Sequence, residues 1–147
     1  MIIAPAPIDS PEARALLDAL SEALSAITGG SGQASFDLAE MSNPRAVFVV
    51  AREDGLAVGC GALREISSDT AEIKRMYAKE KGLGIGAQIL RDLETRAREL
   101  GYSQVILETR TCNEGAVRFY LRQGYLVTEN YGRYRGRADA VCFRKIL

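Results

Sequence analysis

Tyr77-Ala78-Lys79-Glu80-Lys81-Gly82-Leu83-Gly84-Ile85-Gly86 is the pivot of this chain. Before it, Thr70 to Ala78 reads as a strand, and after it Ala87 to Leu100 carries the apolar period of a helix. A strand, a glycine-rich turn and a helix start in succession form an anion cradle. Without side chains, backbone N–H groups approach a phosphate closely, and the helix dipole favours negative charge there. The cradle leaves open which phosphorylated ligand it takes.

Working outward, the turn is preceded by antiparallel signals. Ala46 to Arg52 reads as a strand, Glu53-Asp54-Gly55 as a hairpin turn, and Leu56 to Glu65 as the returning strand. Upstream, Ile2-Ile3-Ala4 suits a short first strand. Asp9 or Ser10 caps a helix with Pro11 in its first turn and Leu16, Leu17, Leu20, Leu24 and Ile27 at helical spacing. Gly29-Gly30-Ser31-Gly32 breaks that helix, and Phe36 to Met41 suits a short additional one. Downstream, Gln104 to Glu108 is a continuous apolar strand, fit to lie parallel to Thr70–Ala78. Asn113 caps a helix reaching about Arg122. Tyr125 to Glu129 and Ala140 to Leu147 read as final strands around the polar loop Asn130 to Arg137.

The 147 residues suffice for one domain, 1–147, with its own core. No run approaches the roughly 18 apolar residues of a membrane span, and no signal-peptide pattern opens the chain, so a cytoplasmic protein is expected. Histidine is absent. That excludes Ser-His-Asp and Cys-His nucleophile systems and histidine-held zinc, and no metal is expected. Cys60, Cys112 and Cys142 show no C-x-x-C spacing and read as free thiols. Net charge is zero but uneven, −7 over residues 1–73 and +7 over 74–147. A basic second half suits a small polyanion; nucleic acid is not expected, because no aromatic-basic interleaving accompanies it.

Among phosphate ligands, a P-loop nucleotide is excluded because G-x-x-x-x-G-K-[ST] is missing. Gly82 to Ala87 formally fits the dinucleotide pattern G-x-G-x-x-[GA], with Glu108 placed as a ribose-binding acid. Against it, four residues separate Tyr77 from the first glycine, and too little chain follows to build a doubly wound sheet.

Lys81-Gly82-Leu83-Gly84-Ile85-Gly86 resembles the pyrophosphate motif [QR]-x-x-G-x-[GA] of the GNAT superfamily of N-acetyltransferases, with lysine where glutamine or arginine is usual. The resemblance continues in Ala71 to Tyr77, in Leu107-Glu108-Thr109, and in Asn113 through Tyr120 to Gly124-Tyr125. The segment between Tyr77 and Gly82 is shorter than usual there and lacks the common proline.

The resemblance implies an α/β fold with a mixed, mainly antiparallel sheet of six to seven strands. About four helices flank that sheet, which is splayed at the coenzyme. It implies acetyl-CoA as cosubstrate and direct transfer to a primary or secondary amine of a small molecule, without an acyl-enzyme. A protein or peptide acetyltransferase and a non-catalytic acyl-CoA-binding domain are the alternatives, and a homodimer is left open. By the same resemblance, Met76, Tyr77 and Ala78 meet the pantetheine arm through their backbone, and Lys81, Gly82, Leu83, Gly84, Ile85, Gly86 and Ala87 meet the pyrophosphate. Asn113 and Tyr120, two helical turns apart, face the coenzyme, with Tyr120 as acid for the departing thiolate. Glu72 is implied as the base. Strand alternation sets Glu72, Lys74 and Met76 on one side and Ile73, Arg75 and Tyr77 on the other. Arg75, Arg110 and the Tyr131 to Arg137 loop, Tyr131 in particular, are expected at the acceptor, their basic surroundings suiting an amine that also carries a carboxylate or phosphonate.

Overall fold

In the computed structural model, which describes residues 1–147, β1 (Ile2–Pro5) leads into α1 (Pro11–Thr28). Ser10 caps α1, its hydroxyl accepting from the Ala13 N–H at 3.2 Å. Gly29, at φ 80°, ends the helix in the left-handed region that glycine adopts without strain. The segment Phe36–Met41 does not form a fourth α-helix. Leu38–Ser42 is instead a short 3-10 helix capped by Asp37 and ended at Asn43-Pro44.

β2 (Val47–Glu53) and β3 (Leu56–Glu65) close around Asp54 and Gly55, both at positive φ, as the Asp-Gly signal requires. β4 (Thr70–Ala78) follows, then α2 (Ile85–Glu99), β5 (Gln104–Arg110), α3 (Glu114–Arg122), β6 (Leu126–Thr128) and β7 (Ala140–Ile146). The fold is therefore α/β, with three α-helices around seven strands. Their order is β1-β2-β3-β4-β5-β7-β6, antiparallel except between β4 and β5.

That one parallel pairing is short. Thr70, Ala71 and Glu72 lie opposite Gln104, Val105 and Ile106, and the strands then part. β4 continues against β3 to Ala78, while β5 continues against β7 to Arg110. The sheet thus splays into a cleft whose walls are two strand edges.

A bulge accompanies the parting. Cys60 pairs with Tyr77 but Ala62 with Lys74, so one residue of β3 faces two of β4, and Arg75 takes φ 55°. The extra residue resets the alternation. Ile73, Met76 and Ala78 pack toward α2, whereas Tyr77 packs toward α1. Met76 therefore does not share a face with Glu72 and Lys74, as strict alternation expects.

Two cores hold the sheet. Ile85, Ile89, Leu90, Leu93 and Ala97 of α2 pack on Val49, Leu63, Ile73, Val105, Leu107 and Phe143. Ala13 and Leu16 of α1 pack on Phe48, Val50, Cys60 and Ala62 across the sheet. A helix of 15 residues such as α2 is marginal alone, so this burial, about 2 kcal/mol per large side chain, keeps it formed. Gly59 lets it come close: a Cβ there would lie 2.7 Å from both Ile89 Cδ1 and the Tyr77 carbonyl oxygen.

Candidate active site

The cleft between β4 and β5 widens into a cavity of about 360 Å³. Its floor comes from the diverging strands, one wall from α3, and its far side from Leu20, Leu24 and the Gly29–Ser35 segment. That segment is clamped from several directions. Arg75 donates to the Ser31 carbonyl, Lys74 to the Ser35 carbonyl, and Arg133 to the Ala34 carbonyl at 2.6 Å.

Tyr120 lines the cavity on its α3 side. Its ring is fixed by Phe119, Tyr125 and Phe143, with centroids 5.1, 5.7 and 5.9 Å away. Every buried polar side-chain atom has a partner, and the Tyr120 hydroxyl makes no bond within the protein, so it opens to the cavity. Burial raises the phenol well above its ordinary value, so it stays protonated through the neutral range. Asn113 lines the same wall; its carbonyl oxygen caps α3 by accepting from the Ala116 N–H at 3.3 Å, which leaves its amide hydrogens free.

Glu72 lies beneath the floor, 1% exposed and outside the cavity lining. One of its oxygens accepts from Arg64 Nε at 2.7 Å, with Lys74 Nζ at 3.8 Å, and the other accepts from the Tyr131 hydroxyl. Tyr131, expected at the acceptor, is turned into this network instead, and its phenol is pushed up by burial and by the Glu72 charge. Tyr134, stacked edge-on against it at 5.5 Å, takes the cavity-facing place.

Two carboxylates line the cavity, Asp139, which is paired with Arg137, and Glu108, on the β5 edge. Desolvation raises its carboxyl above the ordinary carboxylate range, although Arg110, bonded to it, pulls the other way. Arg75 and Arg110 line the cavity, joined by Lys74, Arg137 and Asp139. Two of the three thiols are poor nucleophiles by environment: burial pushes Cys60 up to about 12 and raises Cys142 as well.

Next to the cavity, α2 begins at Gly84, φ 76°, with no side-chain cap. Gln88 is the first residue of this turn whose N–H bonds within the helix, so the N–H groups of Ile85, Gly86 and Ala87 remain unpaired by the backbone. Gly82 and Gly84 both need positive φ and have open space around them. The short loop after Ala78 leaves this helix start intact. Unpaired N–H groups at a helix start, with Lys81 exposed beside them, suit a pyrophosphate. The β4 edge from Ile73 to Ala78, unpaired on the cleft side, suits an extended amide-bearing arm. Both features fit coenzyme A.

The family model described as the acetyltransferase (GNAT) family matches residues 13–125. The chain belongs to the GNAT family. A curated relative, an IAA acetyltransferase of Azospirillum brasilense, is 30% identical over 101 residues. That alignment covers 67% of this chain and 66% of the relative, just under two thirds of its length. Among solved structures, an acyl-CoA N-acyltransferase from Klebsiella pneumoniae superposes with a TM-score of 0.85 at 27% identity, covering 99% of this chain and 97% of its own. A GNAT acetyltransferase from Elizabethkingia anophelis with acetyl-CoA bound has the same fold, with a TM-score of 0.74 at 18% identity over 99% and 97% of the two chains.

As a GNAT protein the chain belongs to a family of acetyltransferases. No helix is long and apolar enough to cross a membrane. Glu108, Lys74 and Asp139 line the cavity but are not assigned to the acetyl-transfer site by the sequence alone. Glu108 carried a signal, since it lies in the family-like Leu107-Glu108-Thr109, but its exposure depends on where the strands part.

Proposed function

We propose that this GNAT protein acetylates the amine of a small molecule held in the β4–β5 cavity. The supporting observation is the cavity itself: a volume of about 360 Å³ lined by charged and polar side chains beside the leucines of α1 suits a small acceptor. The Azospirillum relative, named for IAA, accords with a small acceptor.

Acetyl-CoA supplies a thioester; the amine forms the new C–N bond as the C–S bond breaks. Met76 and Ala78 offer backbone groups to the pantetheine arm, Tyr77 fixes that edge against the α1 core, and Asn113 offers its amide. Gly82 to Ala87 and Lys81 hold the pyrophosphate. Glu108 takes the proton of the attacking amine, because it is the carboxylate at the cavity wall with raised proton affinity. Tyr120 gives its proton to the departing thiolate. Glu72 acts from below, holding Lys74, Arg64 and Tyr131 in place. Arg110 orients Glu108.

The test is release of free coenzyme A over a panel of small amines and of peptides. Turnover on small amines is expected. Turnover confined to peptides overturns the small-acceptor reading, and acetyl-CoA binding without any turnover favours a sensor.

A further inference from the structure

Four cations line the cavity, and three have carboxylate partners. Lys74 lies 3.8 Å from Glu72, Arg110 pairs with Glu108 and lies 3.9 Å from Asp139, and Arg137 bonds Asp139 at 2.9 Å. Arg75 has none. Its guanidinium donates to neutral acceptors only: the Ser31 carbonyl at 2.9 and 3.3 Å and the Ser21 hydroxyl at 3.4 Å.

We propose that the acceptor is an amine that also carries an oxyanion, a carboxylate or phosphonate, and that Arg75 binds this group in place of the Ser31 carbonyl. The proposal rests on the acetyltransferase reading above and names the substrate class.

Three observations carry it. A half-buried guanidinium bonded only to neutral oxygens loses water without gaining a counter-charge, a deficit that a planar oxyanion offsets through paired N–H donors. The bulge turns Arg75 to the acceptor side; unbroken alternation would have sent it into the α2 core. That placement requires φ 55° at a non-glycine residue, a backbone conformation that L side chains rarely adopt. The occupant to be displaced, the Ser31 carbonyl, lies between Gly29 and Gly32, both at positive φ, so glycine at either side widens the backbone conformations open to it. A side chain at Gly32 would lie 2.9 Å from Arg75 Nη2, so glycine there also admits the guanidinium. Leu20 and Leu24 leave an apolar wall for the rest of the acceptor.

The experiment uses free amino acids, their methyl esters and the matching aminophosphonates. Binding to the protein saturated with coenzyme A is measured by calorimetry, and turnover is measured with acetyl-CoA. The acids and phosphonates should bind about 10- to 100-fold better than the esters, the range of a charge-assisted hydrogen-bond pair. Arg75→Asn keeps a residue that tolerates the left-handed backbone, and Arg75→Lys keeps the charge without the fork. Arg75→Asn should erase the preference by weakening the acids alone, with KM for acetyl-CoA unchanged; Arg75→Lys should retain part of it. Acids and esters binding equally, or a variant weakening both equally, overturns the proposal. Turnover without any acid preference refutes this inference and spares the acetyltransferase reading. Acid-selective binding without turnover does the reverse, and neither binding nor turnover refutes both.

Discussion

At the scale of single residues the two carboxylates of the splay separate by environment. Glu72 is enclosed and bonded on both oxygens, whereas Glu108 faces the cavity and is pushed above the ordinary carboxylate range by desolvation. A base works only when ionised, so a raised pKa moves the acid limb of the rate profile upward: activity falls as pH drops through the raised value, before an ordinary carboxylate would protonate. Glu108→Gln should remove that limb from kcat/KM and lower kcat by about 100-fold or more. Glu72→Gln should leave the limb in place and lower stability by about 1–3 kcal/mol, because Arg64 and Tyr131 lose a charged acceptor. A limb that vanishes in Glu72→Gln instead would return the base role to Glu72. Tyr120→Phe removes only the hydroxyl from a ring already packed on three aromatics. It should lower kcat by about 10- to 100-fold with KM for acetyl-CoA little changed, and single-turnover kinetics separate that from slower product release.

Elements place these groups, and the contact between β3 and α2 is the tightest. Gly59→Ala would press a methyl group against the Tyr77 carbonyl and Ile89, so β4 must move from β3 or α2 from the sheet. The expected cost is about 1–3 kcal/mol, read by denaturant unfolding. If α2 and the β4 edge hold the coenzyme as proposed, KM for acetyl-CoA should rise while KM for the acceptor stays near its starting value. The bounds of β3 and β4 were legible from the residues, since alternation and the Asp54-Gly55 turn constrain them on both sides. The bulge was not legible, because the residue at positive φ is Arg75 rather than a glycine or asparagine. One missed bulge misassigned the face of Met76, and the same parting of strands hid Glu108, which read as the end of an apolar run. Tyr131 and Tyr134 belong to one polar loop, and no local pattern says which ring turns inward. The glycine turn, Asn113 and Tyr120 were legible because turn chemistry and helical spacing are local properties.

Over the whole molecule, the proposed coenzyme site draws on three separate elements: the β4 edge, the start of α2 and the wall of α3. Gly86 lies near Phe119, with 3.5 Å from the position of a Cβ to the ring, so α2 and α3 meet beside the unpaired N–H groups. A ligand that bonds these parts together binds the folded chain and not the unfolded one, and therefore raises stability by mass action. At 100 times its Kd the gain is about 2.7 kcal/mol, which for a domain near 150 residues corresponds to roughly 5–10 °C in Tm. Acetyl-CoA and coenzyme A should both produce this shift, since the phosphate and pantetheine contacts are common to them. A nicotinamide dinucleotide should produce none, because its second nucleotide has no doubly wound sheet to lie across in this topology. Differential scanning fluorimetry over a concentration series decides the matter. A shift with the dinucleotide and none with acetyl-CoA would mean that the unpaired N–H groups of α2 serve a different phosphate ligand.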